Sequence, residues 1–193
     1  MNEVRIPAGR ATLDGNLTIV DGASALVLFV HGSGSSRLSP RNRFVARTLN
    51  NAGLATLLFE RLIQATNWAK QQAQARDLGI GYFGSSTGGG AALLAAAELP
   101  REVGAVVSRG GRPDLAGDAL PKVEAPTLLI VGGEDHVVID LNEQARAQMR
   151  CEVKIDIVPG ATHLFEEPGA LEQVARLASD WFLLHAAGSG GPH

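Results

Sequence analysis

Ile80-Gly81-Tyr82-Phe83-Gly84-Ser85-Ser86-Thr87-Gly88 runs from an apolar stretch into a long Ala/Leu stretch, and the join between them decides the fold. The apolar stretch reads as a buried strand and the Ala/Leu stretch as a helix. Between them lies a G-x-S-x-G pentapeptide, Gly84 to Gly88. At a strand-to-helix junction this pattern forms a tight, strained turn that lifts the central serine above the sheet edge. Side chains at the flanking glycines would collide with neighbouring backbone. Ser86 is therefore the candidate nucleophile, and the rest of the chain is read for what could serve it.

Short apolar runs alternate with helix-like stretches on either side of this turn, which predicts an α/β fold with a mostly parallel, doubly wound sheet. The runs are 25–30, 54–59, 80–83, 103–107 and 127–131. They are continuously apolar, as central strands covered on both faces must be. Val153, Ile155 and Ile157 alternate with Lys154 and Asp156, which predicts an edge strand with one wet face. The segment from Val4 to Ile19 carries an Asp14-Gly15 turn signal and predicts an antiparallel hairpin. Helices are expected near 40–52, 62–76, 88–99, 140–149 and 170–186. Leu171, Val174, Ala175, Ala178, Trp181 and Phe182 give the last one a core-facing stripe. No repeat or linker divides the chain, so residues 1–187 read as one domain. The Gly-rich 188–193 reads as a flexible tail, a linker or the remnant of a purification tag. One junction is unusually short: helix-like sequence resumes at Arg61 almost directly after Phe59, where a βα connection usually takes about two to six residues. Either the strand stops early or residues are missing there.

The bulk properties exclude several classes. The chain has 193 residues, is 45% apolar and 19% charged, and has a net charge of -3. That balance gives no footprint for nucleic acid or for an anionic membrane. The 14 arginines against 3 lysines reflect genome composition more than recognition. No signal peptide or membrane-spanning run is visible, and the single cysteine, Cys151, cannot form an internal disulfide, so a reducing cytoplasm is expected. Cys151 reads as a small buried residue. The histidines and the cysteine form no metal-ligand cluster, and no cofactor is expected.

A serine hydroxyl needs a base to take its proton and a third group to orient that base. His163 follows the edge strand in Pro159-Gly160-Ala161-Thr162-His163, a turn-rich loop that can drop a base onto the carboxyl edge of the sheet. His185, on the final helix, is expected to be solvent-exposed. The orienting acid should follow the 127–131 strand, in Gly132-Gly133-Glu134-Asp135-His136. Asp135 is the first choice, Glu134 the reserve and Asp114 the third; a helix N-cap is the competing role for Asp135. The order Ser86, Asp135, His163 is that of α/β-hydrolases, not of the chymotrypsin or subtilisin arrangements. For the oxyanion hole, the Thr87 N–H directly follows the nucleophile. A second N–H should come from His31-Gly32-Ser33-Gly34-Ser35-Ser36, with Ser33 preferred. Losing one such donor costs ~100- to 1,000-fold in rate. His31 is expected to brace this loop, and His31, Gly34 and Arg109 are the substrate-contact candidates.

The residues His31 to Gly34, Gly84 to Gly88, Gly132 to Asp135 and Gly160 to His163 carry a resemblance to the α/β-hydrolase superfamily. Within it, the chain is similar to small dienelactone-hydrolase-like proteins. The resemblance implies an α/β-hydrolase fold with an N-terminal antiparallel hairpin and little or no cap. It also implies a serine hydrolase that cleaves small or medium acyl esters through an acyl-enzyme on Ser86. Relatives with the Arg-Gly-Gly-Arg-Pro-Asp stretch at 109–114 resemble hydrolase domains sometimes joined to phosphoribosyltransferase domains. True dienelactone hydrolases use a cysteine where Ser86 stands, which argues against dienelactone as substrate. The family also has more chain between the fourth strand and the next helix, so a more open site is implied here.

Other readings are weaker. Gly79-Ile80-Gly81-Tyr82-Phe83-Gly84 matches a dinucleotide fingerprint but overlaps the strand it should follow. Gly32 to Arg37 lacks the lysine and spacing of a P-loop, and Arg37, Arg41, Arg43 and Arg47 read as a solvated face. Arg109 and Arg112 could reach a substrate carboxylate, although loop arginines are usually solvated. The scaffold could instead serve as a non-catalytic binding module, or the same three residues could serve an acyltransferase or peptidase. The expected partner is a small-molecule ester, with neither nucleic acid nor membrane, and no oligomeric state is read from the sequence.

Overall fold

The computed structural model describes residues 2–8, 11–33, 36–59 and 62–187. Gly34, the 60–61 junction and the 188–193 tail, each singled out in the sequence, lie outside these residues. An eight-stranded open sheet runs through the chain in the order β1-β2-β4-β3-β5-β6-β7-β8. β1 (Asn2–Ala8) and β2 (Ala11–Thr18) form an antiparallel hairpin, and β2 also pairs antiparallel with β4 (Ala55–Leu58). From β4 onward all pairs are parallel, through β3 (Ala25–Val30), β5 (Gly79–Ser85), β6 (Val103–Arg109), β7 (Thr127–Gly132) and β8 (Val153–Val158). This is the α/β-hydrolase architecture that the sequence implied.

The hairpin's turn is not at Asp14-Gly15. Those residues lie inside β2, opposite Arg5 and Val4. Gly15 sits in a tight place: a Cβ would press at 3.1 Å on both the Ile6 and Val4 side chains. The central strands β3 and β5 are buried nearly throughout, so two apolar clusters form, one on each face. One face packs Val45, Ala46 and Leu49 of α1 (Pro40–Asn51) with Val174, Ala178 and Phe182 of α5 (Ala170–His185). The other packs Leu62 and Ala65 of α2 (Leu62–Gln71) with Ala92 and Leu93 of α3 (Thr87–Glu98) and Ala145 of α4 (His136–Arg146). Each such fully buried leucine contributes ~1.5–3 kcal/mol. A run of 3-10 turns, Pro113–Lys122, kinks at Gly117 and packs against α3 and α4.

Three details depart from the sequence reading. α4 begins at His136, four residues ahead of the predicted 140. The edge strand β8 leaves Ile157 40% exposed. His185 is not exposed: its ring stacks 4.2 Å from Trp181 and its side chain is 13% accessible. The topology sets the site. From β3 the chain goes to β4 on one side, then returns to add β5 on the other. The carboxyl ends of β3 and β5 therefore flank a switch point, the place where open α/β sheets take their ligands.

Candidate active site

Ser86 stands at the switch point, directly after β5 and ahead of α3, with φ 54° and ψ -127°. A positive φ at a non-glycine residue costs ~1–3 kcal/mol, so neighbouring bonds must hold it. Three do so. The Ser86 N–H donates to Arg109 O at 3.2 Å, while Ser86 O accepts from the Gly89 and Arg112 N–H groups at 3.0 and 3.1 Å. The turn also requires Gly88, because a Cβ there would lie 2.5 Å from Val30 O. Gly32 is equally confined: its Cβ would come 2.9 Å from Ser85 O and 3.1 Å from Ser86 Cβ. The loop after β3 is thus pressed against the serine turn.

Asp135 and His163 meet at the next strand ends. Asp135 Oδ2 lies 2.6 Å from His163 Nδ1, which orients the imidazole and sets the tautomer with its proton on Nδ1. Asp135 occupies the N-cap position of α4, yet its side chain makes no capping bond; the carboxylate is spent on His163. The Glu134 N–H donates to Ala161 O, which ties the two loops together, and its exposed side chain makes no bond to His163. Asp114 is taken by Arg112, with bonds of 2.8 and 2.7 Å that hold its carboxyl below the usual carboxylate range. A cavity of about 230 Å³ is lined by Ser86, His163, Gly32, Ser33, Arg41 and Arg109. Ser86 Oγ and His163 share this cavity without a direct hydrogen bond among the described residues, a looseness common before substrate closes such a site.

The Ser33 N–H is not free, as an oxyanion donor would be. It donates to Thr87 Oγ1 at 2.8 Å, and the two hydroxyls lie 3.2 Å apart. His31 Nδ1 lies 2.9 Å from Asn42 Nδ2, which links the loop after β3 to α1, and the ring is not among the residues that line the cavity. Burial pushes the ring's pKa down to about 4, so His31 is neutral at ordinary pH. Arg109 is not a loop arginine. It is the last residue of β6 and 7% exposed, and its guanidinium lies 5.6 Å from the Phe165 ring centre. Phe165 itself has φ 55°.

Sequence reading missed Asn42, Phe165, Arg41 and Glu166. Arg41 lines the cavity and donates to Glu166 Oε1 at 2.8 Å, a bond on the exposed surface. None carries a motif; only the partner loop, far away in the chain, gives each its place. Among the described residues no cluster of His, Cys, Asp and Glu could hold a metal ion, and no helix is long and apolar enough to cross a membrane.

Residues 32–182 match the sequence profile of the dienelactone hydrolase family. The chain is 52% identical to a dienelactone hydrolase from Anabaena variabilis, with a TM-score of 0.94 over 96% of this chain and 97% of that one. Est1E from Butyrivibrio proteoclasticus, 18% identical, shares the fold with a TM-score of 0.84 over 95% and 98%. Two curated Mycobacterium tuberculosis proteins, provisionally named phosphoribosyl transferases, are 52% identical over 209 residues. The match takes in 97% of this chain but 47% of theirs, so the chain spans about half the length of these relatives. It also extends over 209 positions against 193 residues here, so the relatives hold residues with no counterpart in this chain.

Proposed function

We infer the reaction from one fixed premise: this chain belongs to the dienelactone hydrolase family. Family and fold support a hydrolase. We propose, more specifically, a serine carboxylesterase for small or medium acyl esters that works without a cofactor. The observation that carries this is the 2.6 Å bond from Asp135 to His163, whose ring lines one cavity with a serine held at a strained turn. Ser86 Oγ attacks the ester carbonyl while His163 Nε2 takes its proton. Asp135 keeps the other ring proton on Nδ1 and stabilises the imidazolium. The alkoxide leaves with the proton from His163, and water then cleaves the acyl-enzyme by the same route. The Thr87 N–H, at the start of α3, stabilises the oxyanion, joined by the Ser33 N–H once substrate displaces Thr87 Oγ1.

Ser86→Ala should lower hydrolysis of p-nitrophenyl butyrate by at least about a thousandfold. Activity near wild type would sink the nucleophile. One observation favours a non-catalytic scaffold instead: Thr87 Oγ1 occupies the Ser33 donor. Turnover of any simple ester that depends on Ser86 decides against that reading. The name phosphoribosyl transferase belongs to proteins of about twice this length, and the esterase proposal concerns only the half they share with this chain.

A further inference from the structure

The side chain of Thr87 stands where the reaction needs an empty place. Its Oγ1 accepts the Ser33 N–H at 2.8 Å and lies 3.2 Å from the Ser33 hydroxyl. Through Cβ and Cα the same oxygen is joined to the Thr87 nitrogen, so one hydroxyl adjoins both N–H groups assigned to the oxyanion. The loop after β3 is held there from two sides. A Cβ on Gly32 would come 3.4 Å from Thr87 Oγ1, and one on Gly88 would come 3.0 Å from His31 O, so this loop lies directly on the serine turn. On its other side His31 is linked to Asn42 of α1. Ser33 is exposed, where water is free to take its N–H, yet the partner is a side chain next to the nucleophile. In that bond Thr87 Oγ1 is the acceptor, which leaves its own proton available. Threonine on a helix populates two χ1 rotamers, so the hydroxyl can turn without disturbing α3.

We propose that the Thr87 hydroxyl is a catalytic residue of the esterase reaction. It fills the oxyanion site while the enzyme is empty. When the tetrahedral oxyanion forms there, it turns and donates its proton as a third hydrogen bond, beside the Thr87 and Ser33 N–H groups. Bonds to a charged acceptor are roughly twice as strong as neutral ones, which favours the turn only once charge develops. The exchange leaves no group unpaired: the Ser33 N–H passes from hydroxyl to oxyanion, and the hydroxyl changes from acceptor to donor. Thr87 keeps its proton throughout; the one proton transferred goes from Ser86 to His163. The occupied Ser33 donor, which counts towards a non-catalytic scaffold, is on this reading the resting state of the hole. The inference rests on the esterase reading.

Thr87→Ala and Thr87→Val remove the hydroxyl, the first leaving space and the second keeping the shape, while Thr87→Ser keeps the hydroxyl. Hydrolysis of p-nitrophenyl butyrate and inhibition by propyl trifluoromethyl ketone read all three. Ser86 Oγ adds to the ketone's carbonyl carbon, the carbonyl pair becomes the oxyanion and the serine proton passes to His163, so the ketone's affinity reports the hole directly. Thr87→Ala and Thr87→Val should each lower kcat by about 10- to 100-fold and weaken the ketone by a like factor, with KM within about threefold of wild type. Both half-reactions pass through an oxyanion, so kcat falls whichever is slower. Thr87→Ser should stay within about threefold of wild type in all three constants. A folded Thr87→Ala or Thr87→Val enzyme with kcat at or above wild type would overturn the inference, because the hydroxyl would then be only an obstacle. So would a Thr87→Ser enzyme as impaired as Thr87→Val, or a loss confined to KM. A wild type that turns over no simple ester sinks the esterase reading and this inference with it; turnover that is indifferent to the Thr87 hydroxyl sinks this inference alone.

Discussion

His31 should make the protein acid-labile in a defined window. Its Nδ1 accepts from Asn42 Nδ2, its Nε2 is buried without a partner among the described residues, and burial disfavours a second ring proton in the folded state. The unfolded ring titrates near 6.5 and the folded one near 4. Above pH 6.5 both states are neutral, and His31 leaves stability unchanged. As the pH falls from 6.5 towards 4, the unfolded chain takes up a proton that the folded chain refuses, so stability drops. Below pH 4 both bind it and the loss levels off. At 1.36 kcal/mol per pH unit the full gap is worth about 3 kcal/mol. Water reaching the partly exposed ring screens some of this, leaving about 2 kcal/mol. The assay is urea unfolding of wild type and His31→Gln at pH 7.5 and 4.5. His31→Gln loses the Asn42 bond at both pH values, but its deficit should shrink by about 2 kcal/mol at pH 4.5. With a slope of about 2 kcal/mol per molar urea, the midpoints converge by about 1 M. An offset unchanged between the two pH values would refute the reasoning.

Two further substitutions separate chemistry from scaffold. Asp135→Asn should keep the fold and lower kcat by about 10⁴-fold through the wrong imidazole tautomer, measured on p-nitrophenyl butyrate. Glu134→Gln, on an exposed side chain, should stay within about twofold; the reverse ranking would move the acid by one position. Gly88→Ala drives a Cβ to 2.5 Å from Val30 O, so urea unfolding should show a loss of at least about 1–3 kcal/mol. A neutral outcome would mean that β3 and the serine turn are not packed as described.

The sheet was legible because its central strands are apolar on both faces, and 25–30 reads the same in sequence and structure. Local signals failed where a tertiary demand outbid them. Asp14-Gly15 has turn chemistry, yet Gly15 answers to the side chains of Val4 and Ile6 across the hairpin. His136 to Ile139 lack an obvious helical signature, but α4 starts there because the loop ahead is fixed by the Glu134 and Asp135 N–H bonds. At the site, the sequence could order Ser86, Asp135 and His163 but could not separate Asp135 from Glu134. The distinction lies in which carboxylate faces a loop 28 residues later. Arg109 was read as a loop residue because β6 ends in Ser108-Arg109, polar residues that look like the close of a strand. Only the burial of that strand end reveals an arginine whose Nε and Nη1 find no hydrogen-bond partner among the described residues.

The central claim is that Ser86 is an activated nucleophile. Treat the folded protein with a fluorophosphonate and record its intact mass, with and without prior urea denaturation, alongside Ser86→Ala. The account predicts a single adduct on Ser86 in the folded wild type, none after denaturation, and none in Ser86→Ala. An unlabelled wild type that is demonstrably folded, or an adduct that persists in Ser86→Ala, would contradict it.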